Sequence, residues 1–264
     1  MDRHENIDFD FTKSNKPFVI TVCSGKGGVG KSFLASNISY CISLTNLSTL
    51  IWDADNNFPN QHLLLGVEPP VRLQEVLSGK FSIQNAIYPL SDYFCLLAGM
   101  PATGVQELYD DSSILLLYNE IIKDSIFDVI VFDSPAGASN NVLQTCELSD
   151  IICIVITDEP TSLLDAYALI KILLNKNEPS KIKILVNNVI DSDDADDISL
   201  KLNMATEKFL GFKLDVAGFV PYDRIVRQSI VKQELLLKNN LPNEINKSIR
   251  TITDKLLEQI SVIA

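Results

Sequence analysis

The chain has 264 residues, of which 46% are apolar, so it is long enough to bury a sizeable core in one large or two small domains. Its 34 acidic residues outnumber its 22 basic residues, and the net charge of −12 disfavours nonspecific binding to nucleic acid, whose phosphates a negative field repels. No segment reaches the ~18 uninterrupted apolar residues that a membrane-spanning helix needs.

The first 16 residues predict a frayed N-terminal tail. They mix acidic and basic side chains, and they lack the apolar stretch of a signal peptide. Apolar runs begin directly afterwards and continue without a low-complexity linker. We therefore expect one folded domain over residues 17–264, in a cytoplasmic protein.

Apolar, β-branched runs then alternate with helical patterns along the chain. The first three elements are a strand at Phe18–Cys23, a helix from Lys31 to about Asn46 and a strand at Thr49–Asp53. Further strands are predicted at Phe94–Leu97, Asp128–Asp133, Ile151–Ile156, Ile182–Asn187 and Val216–Val220, and the clearest further helices at Ser162–Asn175 and Asn243–Ile260. Several strands are apolar without alternation, as strands covered on both faces require. The pattern predicts an α/β fold with a single doubly wound, mostly parallel sheet and helices on both faces.

A glycine-rich loop follows the first predicted strand and satisfies the pattern G-x-x-x-x-G-K-[ST]. It comprises Gly25, Lys26, Gly27, Gly28, Val29, Gly30, Lys31 and Ser32. Glycines allow successive backbone N–H groups to point at an anion, and the following helix adds the positive end of its dipole. Lys31 is placed to reach the β- and γ-phosphates, and the Ser32 hydroxyl to bind Mg²⁺. The loop predicts a P-loop site for a nucleoside triphosphate.

Aspartates follow two of the predicted strands. Asp53 and Asp55 follow the strand at Thr49–Asp53, and Asp133 follows an apolar run as in a Walker B segment. Taken alone, each is an ordinary aspartate at a strand end. Because ligands bind at the carboxyl ends of parallel strands, these carboxylates and the loop together predict a magnesium–nucleotide site.

The sequence K-G-G-V-G-K-S at residues 26–32 resembles the deviant Walker A motif of the MinD/ParA family of ATPases. In that family the first lysine acts on the nucleotide of a dimer partner, so the resemblance implies an ATP-dependent homodimer that hydrolyses ATP with Mg²⁺. It implies that Asp55 orients the attacking water and that residues 133–137 form switch II. The implied catalytic set is Lys26, Lys31 and Asp55, and the implied metal set is Ser32, Asp53, Asp55 and Asp133.

Three positions depart from the family pattern. Asn57 stands where a glycine is usual, and asparagine tolerates the left-handed conformation of such a turn. His62 replaces an aspartate, and we interpret it as structural because it lies in an apolar helical stretch. Phe33 replaces a residue, often threonine, that helps at the α-phosphate, and we keep it in the predicted nucleotide-binding set.

The predicted base pocket lies at the ends of the last two strands. No guanine-binding N/T-K-x-D motif follows the strand at Ile182–Asn187. Asn187 and the segment from Pro221 to Asp223 resemble the adenine-binding edges of the family, which implies ATP rather than GTP. Asn187 would hydrogen-bond the base, and Pro221 and Asp223 would frame it. The alternative is simple turn chemistry at strand ends.

The segment from Glu159 to Lys171 resembles the FlhG-type branch, which regulates flagellar number and placement. Two alternatives within the family are a MinD-like ATPase that positions the division site and a ParA-like ATPase that partitions DNA or cargo. The net charge disfavours the second alternative. The branch implies an FlhF-type GTPase or a flagellar basal-body protein as a partner, although the tail lacks the D-Q-A-x-x-L-R motif that activates such a GTPase.

Apolar residues recur at helical spacing in the last predicted helix, opposite a face of balanced charge. This spacing predicts a helix docked on the core rather than a membrane anchor. We therefore expect weak or no membrane association, limited to a peripheral contact at the inner face of the cell membrane.

Overall fold

The computed structural model describes residues 16–55, 58–99, 113–123, 126–239 and 243–263. The strands are β1 (Phe18–Ser24), β2 (Thr49–Asp53), β3 (Ile87–Ser91), β4 (Phe94–Leu97), β5 (Val129–Ala136), β6 (Ile151–Ile156), β7 (Ile182–Val189) and β8 (Asp215–Pro221). The helices are α1 (Lys31–Ser43), α2 (Gln61–Leu64), α3 (Leu73–Leu77), α4 (Ile83–Ala86), α5 (Ser113–Lys123), α6 (Asn140–Leu148), α7 (Pro160–Leu173), α8 (Ser192–Leu210), α9 (Arg224–Lys232) and α10 (Glu244–Ile263). Short 3₁₀ helices lie at Pro179–Lys181 and Leu236–Asn239. Most of the predicted tail lies outside the described residues.

The strands form one sheet in the order β3-β4-β2-β5-β1-β6-β7-β8. The pairs from β4 to β8 are parallel, and β3 adds to β4 in the antiparallel direction. This confirms the prediction of a mostly parallel, doubly wound sheet. β2 and β5 lie on one side of β1, whereas β6 to β8 lie on the other. The carboxyl end of β1 is therefore a topological switch point, where ligands bind in such sheets.

Both faces of the sheet are covered, which explains why its strands are apolar without alternation. In β5, Val129 and Val131 belong to the core cluster that includes α1 and α10. Ile130 and Phe132 point to the opposite face and pack with α3, α4 and α5. Trp52 lies on that same face, fully buried, with its ring centroid 4.9 Å from that of Phe132. Trp52 and Phe132 directly precede Asp53 and Asp133 in these two strands.

Helix α10 packs against α1 and β8. Its residues Ile245, Ile249, Ile252 and Leu256 are buried, as their spacing predicted for a docked helix. Within the part of the chain that the structure describes, no helix has the length and apolarity needed to cross a membrane.

Candidate functional site

The glycine loop joins β1 to α1 at the switch point of the sheet. Gly28 and Gly30 have φ angles of 80° and 94°, in the left-handed region that favours glycine. Gly30 precedes the first residue of α1, and a Cβ atom there would lie 2.3 Å from Nδ2 of Asn187. The loop therefore curls in front of the amino end of α1, where unpaired N–H groups and the helix dipole favour an anion.

Helix α7 supports the beginning of the loop. A Cβ atom on Gly25 would lie 2.2 Å from the carbonyl carbon of Asp165, so only glycine fits there. Lys26 Nζ forms an ion pair with the Glu159 carboxylate and donates a hydrogen bond of 2.9 Å to Oγ1 of Thr161. Lys26 is thus held by the segment that begins α7 in its own chain. This contact between the loop and the segment from Glu159 to Lys171 was not predicted.

Two buried carboxylates lie side by side, Asp53 at the end of β2 and Asp133 within β5. Asp53 and Asp133 are paired in register, and they are 0% and 1% exposed. Burial, together with the charge of Asp133, raises the pKa of Asp53 well above its ordinary value. Burial raises the pKa of Asp133 to about 6, although hydrogen bonds from Gln61 and Ser32 and the charge of Lys31 act in the opposite direction.

A divalent cation fits this arrangement. It would compensate the negative charge that burial opposes at Asp53 and Asp133, and oxygen ligands are those that Mg²⁺ prefers. Asp133 Oδ1 is buried and accepts no hydrogen bond from the described residues. The structure thus brings together Lys31, Ser32 and Asp133 of the predicted site, with Asp53 beside them.

Asp53 also holds the segment that follows β2. Its Oδ2 accepts hydrogen bonds from the backbone N–H groups of Asn60 (2.8 Å) and Gln61 (2.9 Å), and its Oδ1 accepts one from Asp55 (3.2 Å). Oδ1 of Asp55 accepts a hydrogen bond of 3.0 Å from the backbone N–H of Phe58. Asp53 therefore fixes the position of the loop that carries Asp55.

Gln61 is a residue of the site that the sequence motifs missed. It is the first residue of α2 and is 0% exposed. Its Nε2 donates hydrogen bonds to the Ser32 carbonyl (2.9 Å) and to Oδ2 of Asp133 (2.8 Å). Gln61 stands between two other polar residues, Asn60 and His62, so no sequence pattern marked it as a buried residue of the site.

The residues predicted to bind the base lie at the ends of β7 and β8 and directly after β8. Nδ2 of Asn187 donates a hydrogen bond of 2.8 Å to the Val29 carbonyl, so this side chain anchors the glycine loop. The Asp223 carboxylate accepts a hydrogen bond of 3.0 Å from the backbone N–H of Ile225 and caps α9. Pro221 ends β8, and the neighbouring Tyr222 is 64% exposed. These predicted residues thus lie together at the carboxyl ends of two neighbouring strands.

The three departures from the family pattern have different outcomes. The Phe33 side chain is buried in the core cluster around α1, and it offers no hydroxyl to an α-phosphate. His62 is partly buried, and burial together with the charge of Arg72 lowers its pKa, which keeps the imidazole neutral at physiological pH. Asn57 lies outside the described residues.

Comparison with known proteins identifies the family of this chain. The CobQ/CobB/MinD/ParA nucleotide binding domain matches residues 20–236. The antiactivator FleN of Pseudomonas aeruginosa is 28% identical over 242 residues, which are 90% of this chain and 85% of FleN. The flagellum site-determining protein YlxH of Helicobacter pylori is 26% identical over 252 residues, which are 94% of this chain and 84% of YlxH.

A solved structure gives the same fold. The septum site-determining protein MinD of Pyrococcus horikoshii, complexed with Mg-ADP, superposes with a TM-score of 0.78 at 19% sequence identity. The match covers 94% of this chain and 99% of that chain. These comparisons confirm the family and the fold that the sequence predicted. The chain belongs to the CobQ/CobB/MinD/ParA nucleotide binding domain family.

Proposed function

We propose that this protein is a Mg²⁺-dependent ATPase that dimerises when it binds ATP, and that the dimer regulates the number or placement of flagella. One observation carries the proposal: the glycine loop faces the buried carboxylate pair Asp53 and Asp133 at the switch point of the sheet. A loop for phosphates beside carboxylates for a cation is the arrangement that phosphoryl transfer requires.

Each residue of the site then has a role in ATP hydrolysis. Lys31 and the loop N–H groups bind the β- and γ-phosphates, and Ser32 holds Mg²⁺. Asp53 and Asp133 support the hydrated metal, which neutralises charge on the phosphate oxygens. Asp55 orients the attacking water. The position of Asp55 depends on the hydrogen bond that its backbone N–H donates to Asp53.

Lys26 supplies the link to dimerisation in this proposal. Its side chain is 32% exposed and its ammonium group is paired with Glu159, so a turn of the side chain would bring the ammonium group to the nucleotide of a second subunit. Ion pairs that are partly exposed to solvent contribute only about 0–1 kcal/mol, so the phosphates of a second subunit compete with it readily. ATP therefore favours the dimer by giving Lys26 a more highly charged partner.

Size-exclusion chromatography with light scattering tests this proposal on an Asp55→Ala protein, which binds ATP without consuming it. We expect a monomer with ADP and Mg²⁺ and a dimer with ATP and Mg²⁺. Adding Lys26→Ala should leave the protein monomeric in ATP, while calorimetry still detects ATP binding. An Asp55→Ala protein that stays monomeric in saturating ATP contradicts the proposed switch.

The similarity to the flagellum site-determining protein YlxH, over 94% of this chain, supports the flagellar role. We propose that the partner is an FlhF-type GTPase or a basal-body protein that recognises only the ATP-bound dimer. Deleting the gene and counting flagella tests the role, with the native gene and a Lys31→Ala gene restored separately. We expect only the native gene to restore the normal number and placement. Unchanged flagella in the deletion strain would refute the role.

A further inference from the structure

Gln61 is buried beside the carboxylates, although a glutamine usually keeps its carboxamide in water. Burying a polar group costs free energy unless it forms hydrogen bonds. The contacts of this side chain therefore indicate why a glutamine occupies the position.

The orientation of the carboxamide follows from its partners. The Ser32 carbonyl can only accept a hydrogen bond, so the NH₂ group of Gln61 must face it. The same nitrogen donates to Oδ2 of Asp133. Gln61 thus links the first turn of α1 to Asp133 of β5, and its backbone N–H links both to Asp53.

Two buried oxygens of these side chains remain without a donor. Oε1 of Gln61 and Oδ1 of Asp133 lack a hydrogen-bond partner among the residues that the structure describes. They belong to the two groups that the hydrogen bond of 2.8 Å from Nε2 to Oδ2 joins. Both are acceptors, and buried acceptors are normally satisfied by a donor. Water bound to Mg²⁺ is such a donor, since this ion usually keeps several of its waters.

We propose that Gln61 is a positioning residue for hydrated Mg²⁺, an inference that rests on the proposed function. Its Nε2 fixes the Asp133 carboxylate so that Oδ1 accepts a hydrogen bond from a metal-bound water. Its Oε1 accepts a hydrogen bond from a second such water. Because the backbone N–H of Gln61 also bonds Asp53, metal binding and the position of the segment after β2 are coupled.

Calorimetric titration with ADP, with Mg²⁺ or with EDTA, tests the inference without relying on ATP hydrolysis. Gln61→Met keeps the size of the side chain and removes its hydrogen bonds. We expect the Kd for ADP to rise about tenfold with Mg²⁺ and to change less than twofold with EDTA. Gln144→Met is the matched control, because Oε1 of Gln144 is also buried and lacks a partner in the described chain, but lies on α6. It should leave both Kd values unchanged.

Two results would overturn the inference: an unchanged Kd with Mg²⁺, or an equal loss with Mg²⁺ and with EDTA, which would indicate general packing. If Gln61→Met does not fold, as judged by circular dichroism, Gln61→Asn is compared in the same way. It keeps an amide but is one methylene too short to reach both acceptors, so the same metal-dependent loss is expected. A native protein that binds no ADP would instead refute the proposed function itself.

Discussion

The predicted nucleotide site at the carboxyl end of β1 has two sides, here called the phosphate side and the base side, that are built differently. The phosphate side comprises Lys31, Ser32, Asp53, Gln61 and Asp133, of which all but Ser32 are at least nine-tenths buried. The base side comprises Asn187 and residues 221–223, and Tyr222 there is largely exposed. The first side carries three carboxylate or ammonium groups that are buried, whereas on the second side the Asn187 amide bonds the loop and the Asp223 carboxylate caps α9.

The polar side chains of the two sides have different roles, in ligand binding on the phosphate side and in the stability of the fold on the base side. Burial raises the pKa of both carboxylates on the phosphate side, so their charged forms oppose folding and indicate a ligand that compensates them. On the base side, the Asn187 and Asp223 side chains satisfy backbone groups of the same chain. We therefore expect substitutions on the phosphate side to have the larger effects on ligand binding.

The largest expected effect is that of Lys31→Ala. Removing a buried ammonium group from the phosphates deletes charge-assisted hydrogen bonds worth about 3 kcal/mol, so the affinity for ATP should fall about 100-fold. Calorimetry measures the affinity, and Lys213→Ala, at an exposed ion pair with Glu207, serves as the control. A loss of less than threefold would show that the phosphates do not bind at this loop.

Asp133→Asn should stabilise the protein free of nucleotide and metal. Folding raises the pKa of Asp133 from 3.8 to about 6. Below about pH 4 the carboxyl is neutral in both the folded and the unfolded protein, so it costs no stability. As the pH rises through 6, the folded protein must bury the charged form and loses stability. The uncharged amide avoids this loss. At pH 8 we expect the free energy of unfolding to increase by about 2–3 kcal/mol, with little change at pH 4. Urea unfolding at both pH values measures it, and lower stability at pH 8 would contradict the prediction.

Asn187→Ala should have the smallest effect. The loop loses one hydrogen bond at the Val29 carbonyl, so stability should fall by about 1 kcal/mol and the affinities for ATP and GTP should fall by the same factor of about five. Parallel titrations with the two nucleotides measure this. A loss confined to ATP would instead support the base contact that the family resemblance implies.

The sequence was most informative where apolar runs end at polar motifs. The strands at Thr49–Asp53, Phe94–Leu97 and Ile151–Ile156 were predicted with their observed bounds, because each is a short apolar run followed by turn residues. The glycine loop between β1 and α1 was predicted from its sequence pattern, together with the strand before it and the helix after it. In contrast, β3 was missed because Pro89 argues against a strand, and such a residue is tolerated only at a sheet edge.

The contacts between distant segments were not predictable from spacing. Gln61 bonds Asp133 across 72 positions of the chain, and Lys26 bonds Thr161 across 135. No local pattern predicts such pairs, because they depend on how α2 and α7 pack at the carboxyl ends of the strands. The Asn187 anchor is similar, because its partner Val29 lies 158 positions away.

Trp52 is the only tryptophan of the chain, and it directly precedes Asp53 in β2. Its ring packs on Phe132, the residue before Asp133, so the indole contacts the neighbour of the second carboxylate as well. The protein thus contains its own fluorophore beside the acidic pair. Rapid-mixing measurements of this emission can time the arrival and departure of magnesium and nucleotide on unlabelled protein.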